Sequence, residues 1–171
     1  MAKYGVNSAF GSPALWDVVS RYCLERKKVF PAVKRILMAG APISGSLLRR
    51  FEDISEPGTE IFTPYGATEA LPVAVAERRE ILEDTWENTC CGNGICVGKP
   101  VTGITVKIIH ITDDSLKYWR DELERPEGKI GEIVVKGPWV TRQYFNNELA
   151  TTLAKIKDGE DFWHRMGDVG Y

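Results

Sequence analysis

The feature that most constrains the fold is a strand–helix–strand pattern in the amino-terminal half of the chain. The apolar run Ile36–Met38 is short and stops at a Gly/Pro-containing stretch, Ala39–Pro42, which indicates a buried strand. Ser44 is predicted to cap a helix, and Glu60–Phe62 is predicted as the next strand. The apolar stripe of that helix is Leu47, Leu48 and Phe51. A crossover of this kind joins parallel strands.

Parallel strands place the loops that follow them at one edge of the sheet. We therefore expect the loop Gly40–Pro42 and the loop Tyr65–Glu69 to lie at the same edge. In open α/β sheets, ligands bind at this edge.

An earlier helix is predicted to begin at Ser12 and Pro13, with Ser as the N-cap and Pro at the first helical position. Its apolar residues recur at helical spacing and are predicted to form one apolar stripe: Leu15, Val18, Val19, Tyr22 and Cys23.

From Val97 onward the pattern is typical of β-structure. Strands are predicted at 105–111 and 131–136, followed by a helix at 149–156 and a last strand at 162–166 that turns at Gly167-Asp168. On that last strand, His164 and Arg165 are interpreted as exposed positions. The charged insertion 112–128 leaves two interpretations open: a short helix at 116–123 docked by Tyr118 and Trp119, or a plain surface insertion, which is favoured.

These patterns predict an α/β plus β fold. Part of a parallel-sheet α/β subdomain, residues 1–95, is followed by a β-barrel-like subdomain, residues 96–171. Both ends of the chain are abrupt, which suggests a piece of something longer.

Composition excludes several classes of protein. The net charge of -2, with both signs interspersed and no basic stripe, argues against a nucleic-acid partner. The amino terminus has no secretory leader, and no apolar run approaches the ~20 residues of a membrane span. Three of the four cysteines, Cys90, Cys91 and Cys96, are bunched together and do not suit a disulfide framework, so we interpret the cysteines as reduced thiols of a cytoplasmic protein. A zinc site is the alternative, but no histidine stands nearby at a zinc-ligand spacing.

The stretch Tyr65–Glu69 combines residue types that suit a polyphosphate with its metal. Gly66 lets a ligand approach the backbone, Thr68 offers a hydroxyl donor, and Glu69 is a hard oxygen ligand for Mg²⁺. The alternative is a strand-to-loop turn with a capping threonine and an exposed glutamate.

Two further candidates stand elsewhere in the sequence. The turn Gly40–Pro42 leaves backbone carbonyls that could accept from an exocyclic amine, although a purely structural turn explains it equally. Asp168 could bind the paired hydroxyls of a ribose, or simply cap a turn after Gly167. A general-base role for His164 is not favoured.

The order of these motifs gives them their specificity. The series 40–42, 65–69, 131–137 and 163–171 resembles the core motifs of the adenylate-forming superfamily, which includes acyl-CoA synthetases, luciferases and the adenylation domains of peptide synthetases. The resemblance runs from about Phe10 to Tyr171. It implies an incomplete large amino-terminal domain of such an enzyme.

The resemblance also implies roles for individual residues. Ala39, Gly40, Ala41 and Pro42 would line the adenine pocket, and Tyr65 would stack on the base. Gly66 would belong to the nucleotide-binding residues. Thr68 and Glu69 would be the catalytic residues, Thr68 holding phosphate and Glu69 coordinating Mg²⁺. Asp168 would take the ribose hydroxyls. The implied cofactors are ATP or AMP and Mg²⁺, with CoA as a possible second substrate.

Within the superfamily, the motifs 65–74, 97–100 and 164–171 are similar to the fatty-acid ligases of olefin biosynthesis. Those enzymes adenylate a long-chain β-hydroxy acid and close it to a β-lactone. The resemblance implies a nucleotide and a fatty acid as partners. Two alternatives stay open: an amino-acid or aryl-acid adenylation domain, and a non-catalytic module that binds nucleotide or assists assembly.

The sequence departs from the family at two points. Neither the family's Ser/Thr/Gly-rich phosphate loop nor its catalytic lysine can be assigned to residues of this chain. We therefore expect the chain alone to be inactive in ATP–pyrophosphate exchange, and its unpaired strands to favour a homodimer.

Overall fold

The computed structural model describes residues 2–171 and divides the chain into two compact units. The first comprises Met1–Tyr65 with Ala74–Lys99, and the second comprises Gly66–Val73 with Pro100–Tyr171. Within residues 2–171, no helix combines the length and the apolar character that a bilayer-spanning helix needs.

The first unit is built on parallel strands. β1 (Ser8–Gly11) pairs with β2 (Arg35–Met38), and β2 pairs with β3 (Glu60–Ala67), both in parallel. The predicted strand–helix–strand crossover is confirmed, whereas β1 was not predicted. Residues 8–11 alternate too weakly in hydrophobicity to indicate a strand, so only the pairing with β2 reveals it.

Both predicted helix starts are confirmed. Ser12 caps α1 (Pro13–Glu25) by accepting from the Leu15 amide at 3.3 Å. Ser44 caps α2 (Gly45–Ile54) by accepting from the Leu47 amide at 3.2 Å. The predicted apolar residues of α2 are buried, together with Ile54.

The apolar stripe predicted for α1 is only partly buried: Cys23 is buried and Val19 packs against the core, but the other three residues do not. Leu15, Val18 and Tyr22 are more than half exposed, and the buried residues of the helix are Pro13, Trp16, Ser20 and Cys23. The Trp16 ring packs edge-on against Phe51, with the ring centroids 5.7 Å apart. Because a tryptophan buries more apolar area than the smaller side chains beside it, Trp16 decides which face of α1 turns inward.

The expectation that a strand ends before Tyr65 is also wrong. β3 continues to Ala67, and after a two-residue connection the chain returns as β4 (Ala70–Glu77). The strand order of this sheet is β1-β2-β3-β4-β5, with β5 at Lys99–Pro100. A π-helix (Glu80–Thr85) and α3 (Trp86–Cys90) connect β4 to β5.

The second unit contains a four-stranded antiparallel sheet in the order β6-β7-β9-β8. Its sheet is open, with β6 and β8 as edge strands, so the expectation of a barrel-like closure is not met by the described residues. The elements of this unit are β6 (Thr105–Ile109), β7 (Gly131–Lys136), α4 (Glu148–Ala154), β8 (Lys155–Asp158) and β9 (Asp161–Gly170).

The insertion 112–128 differs from both interpretations of the sequence. It has no α-helix at 116–123, only a short 3₁₀ turn at Asp121–Leu123, yet Trp119 stacks on Trp163 with ring centroids 4.7 Å apart. The Trp119 amide donates to the Lys157 carbonyl at 2.8 Å, so extended pairing with β8 replaces the helix. The predicted docking of Trp119 is confirmed, whereas Tyr118 is exposed.

The end of the chain is more extended than predicted. The predicted helix 149–156 ends at Ala154, because Lys155 and Ile156 belong to β8. The last strand runs beyond its predicted end at residue 166 to Gly170. One core cluster of this unit consists of Ile109, Val134, Ile156 and Trp163.

Candidate functional site

The connection between β3 and β4 consists of Thr68 and Glu69 alone, so these residues sit at the tip of a hairpin. Thr68 is exposed and Glu69 is half-buried. This hairpin, and not a strand-to-loop turn, is what the sequence Tyr65–Ala70 specifies.

Gly66 is required by the hairpin itself. Its φ is +158°, and a Cβ at this position would lie 2.4 Å from the Ala70 carbonyl oxygen and 2.9 Å from Leu71 Cδ1. Even alanine would therefore collide with the returning strand. The predicted role of Gly66 in close ligand approach remains a prediction, but the hairpin already accounts for the glycine.

Glu69 lies against a segment that the sequence did not connect to it. The Tyr144 hydroxyl donates to the Glu69 carboxylate, and this hydrogen bond is the main reason why the pKa of Glu69 lies below its usual value. The Thr141 amide donates to the Glu69 carbonyl at 2.8 Å. The carboxylate is therefore ionised at neutral pH and held by its neighbours.

Two buried basic groups lie near this carboxylate. Lys155 is 6% exposed, and burial lowers its pKa to about 8. Its ammonium group donates to the Thr141 carbonyl at 2.5 Å and to the Thr141 hydroxyl at 3.2 Å. His164 is 3% exposed, and burial, with Lys155 nearby, lowers its pKa to about 4.

The interpretation of His164 and Arg165 as exposed positions is wrong. His164 pairs with Val135 and Lys155 on the neighbouring strands, and its Nδ1 lies 3.3 Å from the Ala154 carbonyl oxygen. The Arg165 side chain is 9% exposed. At neutral pH the His164 ring is uncharged, as its burial requires.

Asp168 lies on an irregularity of β9. Glu132 and Val134 of β7 are two residues apart, but their partners Val169 and Arg165 are four apart. The extra residues of β9 form a bulge that contains Gly167 at φ +72° and leaves Asp168 exposed. Bulges of this kind re-aim side chains and are frequent beside functional sites.

The remaining predicted residues belong to the first unit. The loop Ala39–Pro42 follows β2, with Ala39 buried and Gly40, Ala41 and Pro42 exposed. Gly40 has φ +96° and open space around its Cα, so it supplies a left-handed turn without a packing requirement. Tyr65 is half-buried on β3.

The structure thus brings some of the predicted residues together and leaves others on separate elements. Gly66, Thr68 and Glu69 share one hairpin, and Asp168 lies on β9 of the same unit. Tyr144 and Lys155 were missed because no local motif marks them. Only a tertiary contact links residues 75 and 86 positions further along the chain to Glu69.

A cleft of about 360 Å³ in the second unit contains none of the predicted residues. It is lined by Gly103, Thr105, Lys136, Gly137, Pro138, Val140, Arg142, Asp161 and Phe162. The cleft therefore gives no support to a binding role for the hairpin residues.

Within residues 2–171 no group of three or more His, Cys, Asp or Glu residues could hold a metal ion. Glu69 is thus a single carboxylate donor. This donor set fits Mg²⁺, which proteins often hold through one or two carboxylates while waters and substrate phosphates fill the other positions.

Comparison with known proteins identifies the family. The family model described as AMP-binding enzyme matches residues 1–145. An olefin beta-lactone synthetase from Stenotrophomonas maltophilia is 42% identical over 174 residues, covering 99% of this chain and 31% of the relative. A long-chain-fatty-acid–CoA ligase from Thermus thermophilus is 30% identical, covering 96% of this chain and 28% of the relative.

Solved structures show the same fold. A long-chain-fatty-acid-CoA ligase from Archaeoglobus fulgidus superposes with a TM-score of 0.72 at 21% identity, covering 99% of this chain and 32% of that one. The O-succinylbenzoate coenzyme A synthetase from Bacillus subtilis in complex with AMP gives a TM-score of 0.63 at 21% identity, covering 96% of this chain and 31% of that one. The chain spans about a third of the length of the Stenotrophomonas relative and of the Archaeoglobus structure.

Proposed function

Because the chain belongs to the AMP-binding enzyme family, we propose that it is the nucleotide- and metal-binding part of an acid ligase. The ligase activates a long-chain fatty acid or β-hydroxy fatty acid with ATP. An oxygen of the acid's carboxylate forms a bond to the α-phosphorus, the bond to the β-phosphate breaks, and pyrophosphate leaves with the electron pair. The product is an acyl-adenylate.

The observation that carries this proposal is the fixed, ionised carboxylate of Glu69 at the tip of the β3–β4 hairpin. A glutamate on a two-residue connection would ordinarily be mobile. Here the Thr141 amide donates to its backbone carbonyl at 2.8 Å, and the Tyr144 hydroxyl is the main cause that lowers the pKa of its carboxylate. A carboxylate arranged in this way suits a cation that also binds phosphates.

The other residues are assigned by their chemistry. Carbonyls of the loop Ala39–Pro42 accept from the adenine amino group, and Tyr65 stacks on the base. Thr68 donates its hydroxyl to a phosphate oxygen. Asp168 accepts from both ribose hydroxyls, and hydrogen bonds of this type to a charged group contribute about 1.5–3 kcal/mol each.

Glu69 would hold the magnesium ion, which would supply positive charge to offset the charge of the phosphates. The proposed role of Glu69 is to present a carboxylate oxygen to the cation. Its lowered pKa keeps that oxygen unprotonated at neutral pH.

The β-hydroxy fatty acid is the favoured substrate class. The relatives named olefin beta-lactone synthetase are 42% and 40% identical to the chain, against 30% for the long-chain-fatty-acid–CoA ligase from Thermus thermophilus. For such a substrate, the hydroxyl oxygen of the acid itself forms a bond to the acyl carbon and loses its proton to solvent, while the bond from that carbon to AMP breaks. AMP leaves with the electron pair, and the product is a β-lactone. For a plain fatty acid, CoA would be the second acceptor.

Calorimetric titration of the chain with ATP, with and without Mg²⁺, tests the proposal. We expect Mg²⁺ to tighten ATP binding to the wild type, and E69Q to lose most of that gain while AMP binding stays unchanged. Glu160 is exposed in the turn between β8 and β9, so E160Q is the matched control and should behave as wild type. A wild-type chain that binds neither nucleotide, or an E69Q variant that keeps the full gain, would contradict the proposal.

A further inference from the structure

The bulge in β9 consists of residues 166–168, which stand opposite a single residue of β7. On its amino-terminal side Arg165 pairs with Val134, and on its carboxyl-terminal side Val169 pairs with Glu132. In a regular antiparallel ladder, Glu132 would instead pair with residue 167. Two residues of β9 are therefore extruded, and this register leaves Asp168 exposed.

A buried ion pair joins the two sides of this bulge. Glu132 and Val134 lie on the same face of β7, and Arg165, the cross-strand partner of Val134, lies on that face as well. The Arg165 Nε donates to both carboxylate oxygens of Glu132, and Nη2 donates to one of them at 2.7 Å. The pair therefore ties the residue before the bulge to the strand position opposite the residue after it.

The regular register is disfavoured by the packing just beyond the bulge. In the observed ladder Gly131 pairs with Gly170, whereas a regular ladder would bring Asp168 into the place of Gly170. A Cβ at that place would lie 2.9 Å from Ile133 Cδ1 and 3.1 Å from Ile133 Cγ1, and Ile133 is buried. The carboxyl-terminal side of the bulge thus needs the glycine at residue 170, while the ion pair holds the amino-terminal side.

The guanidinium group of Arg165 is itself fixed by the segments around it. Nη1 donates to the Asp114 carbonyl at 2.9 Å and to the Leu153 carbonyl at 3.1 Å, and Nη2 donates to the Thr112 carbonyl. A planar fork that is bound on several sides cannot change its orientation without breaking several hydrogen bonds. A lysine carries the same charge, but its compact ammonium group cannot reproduce this set of contacts.

We propose that Arg165, together with Glu132, is a positioning residue, which holds β9 in the bulged register that presents Asp168 to the ribose. The inference rests on the proposed function, in which Asp168 binds the ribose hydroxyls. Each side chain of the ion pair is 9% exposed and is bound to the other, so neither is assigned a contact with the nucleotide. The pair acts only through the position of Asp168.

The test is calorimetric titration of the chain with AMP and with its dideoxy analogue, which lacks both ribose hydroxyls. The wild type should bind AMP at least about tenfold more tightly than the analogue, because the analogue cannot donate hydrogen bonds to the charged Asp168. R165K keeps the charge but loses the planar fork. We expect R165K to reduce this preference by about tenfold and to bind the analogue as the wild type does.

Three further variants make the test specific. Arg142 is 69% exposed and faces Asp161, another carboxylate of β9, so R142K is the matched control and should equal wild type. The double variant R165M/E132M removes the ion pair without leaving a charge buried, and should lose the same preference as R165K. In R165K/D168A, the AMP affinity should equal that of D168A alone, because the ion pair acts only through Asp168.

Each outcome bears on a different claim. A wild type that binds no nucleotide, or binds AMP and the analogue alike, overturns the proposed role of Asp168 and this inference with it. A wild-type preference that R165K and R165M/E132M both keep in full overturns the positioning role alone. Equal losses of affinity for both nucleotides would assign the ion pair to the fold of the unit, and a further loss of AMP affinity in R165K/D168A would show a route other than Asp168. Either of these two results also overturns the positioning role.

Discussion

Arg165 and Glu132 form a buried, bidentate ion pair between β9 and β7. The Arg165 Nε donates to both carboxylate oxygens of Glu132 at 3.0 Å, Nη2 donates to one of them at 2.7 Å, and each side chain is 9% exposed. Nη1 also donates to the carbonyls of Asp114 and Leu153, and Nη2 to that of Thr112. One arginine thus ties the insertion 112–128 and the end of α4 to the sheet, three residues before Asp168.

Removing the arginine should destabilise the second unit severely. R165A would leave the Glu132 carboxylate buried without its partner, and we expect the free energy of unfolding to fall by about 3–5 kcal/mol. Urea unfolding followed by hydrogen exchange of the β7 and β9 amides measures this. The double variant R165M/E132M should recover part of the lost stability, because no charge stays buried. It should not recover the part that comes from the hydrogen bonds between Arg165 and the backbone carbonyls.

The matched control for that experiment is the Arg142–Asp161 pair. Its atoms are 3.9 Å apart and its side chains are 69% and 66% exposed, so R142A should change stability very little. An R165A variant as stable as R142A would show that the buried pair does not hold the sheet.

The hairpin that carries Glu69 should not tolerate a side chain at residue 66. In G66A, the new Cβ would lie 2.4 Å from the Ala70 carbonyl oxygen. We expect a loss of about 3 kcal/mol or more, since overpacking of about 1–3 kcal/mol adds to backbone strain. Gly159 has φ +62° with open space around it, so G159A isolates the strain alone and should cost about 1–2 kcal/mol. Similar losses in both variants, measured by urea unfolding, would argue against the close approach.

His164 should make stability depend on pH. Its folded pKa of about 4 lies below the ordinary histidine value of 6.5, so as the pH falls the unfolded chain binds the proton first. The free energy of unfolding therefore has its full value above pH 6.5 and falls as the pH drops from 6.5 toward 4. The expected decrease is about 2 kcal/mol between pH 7 and 5.

Urea unfolding at several pH values measures this slope. H164Q should flatten it, whereas the exposed His110 makes H110Q the matched control, which should keep it. A wild-type slope that survives in H164Q would assign the acid sensitivity to another group.

Local signals predicted the parts of the fold that local physics determines. Ser12 and Ser44 were recognised as helix caps because a hydroxyl before an apolar-periodic run satisfies the free amides of the first turn. The parallel pairing of β2 with β3 followed from the length of the crossover between them.

The errors arose where distant residues decide the outcome. Helical spacing is compatible with either of two faces of α1 being buried. The contacts of the Trp16 ring with Phe30 and Phe51 determine which face it is. His164 and Arg165 appeared exposed because strand alternation cannot reveal that other segments cover them. The short helix considered as one of two interpretations for 116–123 is absent, because Trp119 pairs with Lys157, which lies far away in the sequence.

The residues of the candidate site also fall into two groups, those that a local motif reveals and those that only tertiary contacts reveal. Glu69 and Asp168 were found because each stands in a short motif, but Tyr144 and Lys155 became visible only through their contacts with the hairpin. The motif residues supply the chemistry, and the unmarked residues hold them in position.

The central claim is that this chain carries the adenylate-binding site, and Asp168 offers the most direct measurement. The chain would be titrated by calorimetry with a non-hydrolysable acyl-adenylate analogue that bears a long acyl group, as wild type, D168A and D161A. Asp161 is on the same strand and its side chain is 66% exposed, so it is the matched control. We predict that the wild type and D161A bind alike and that D168A binds at least about tenfold more weakly. Equal binding by D168A, or no binding by the wild type, would contradict the account.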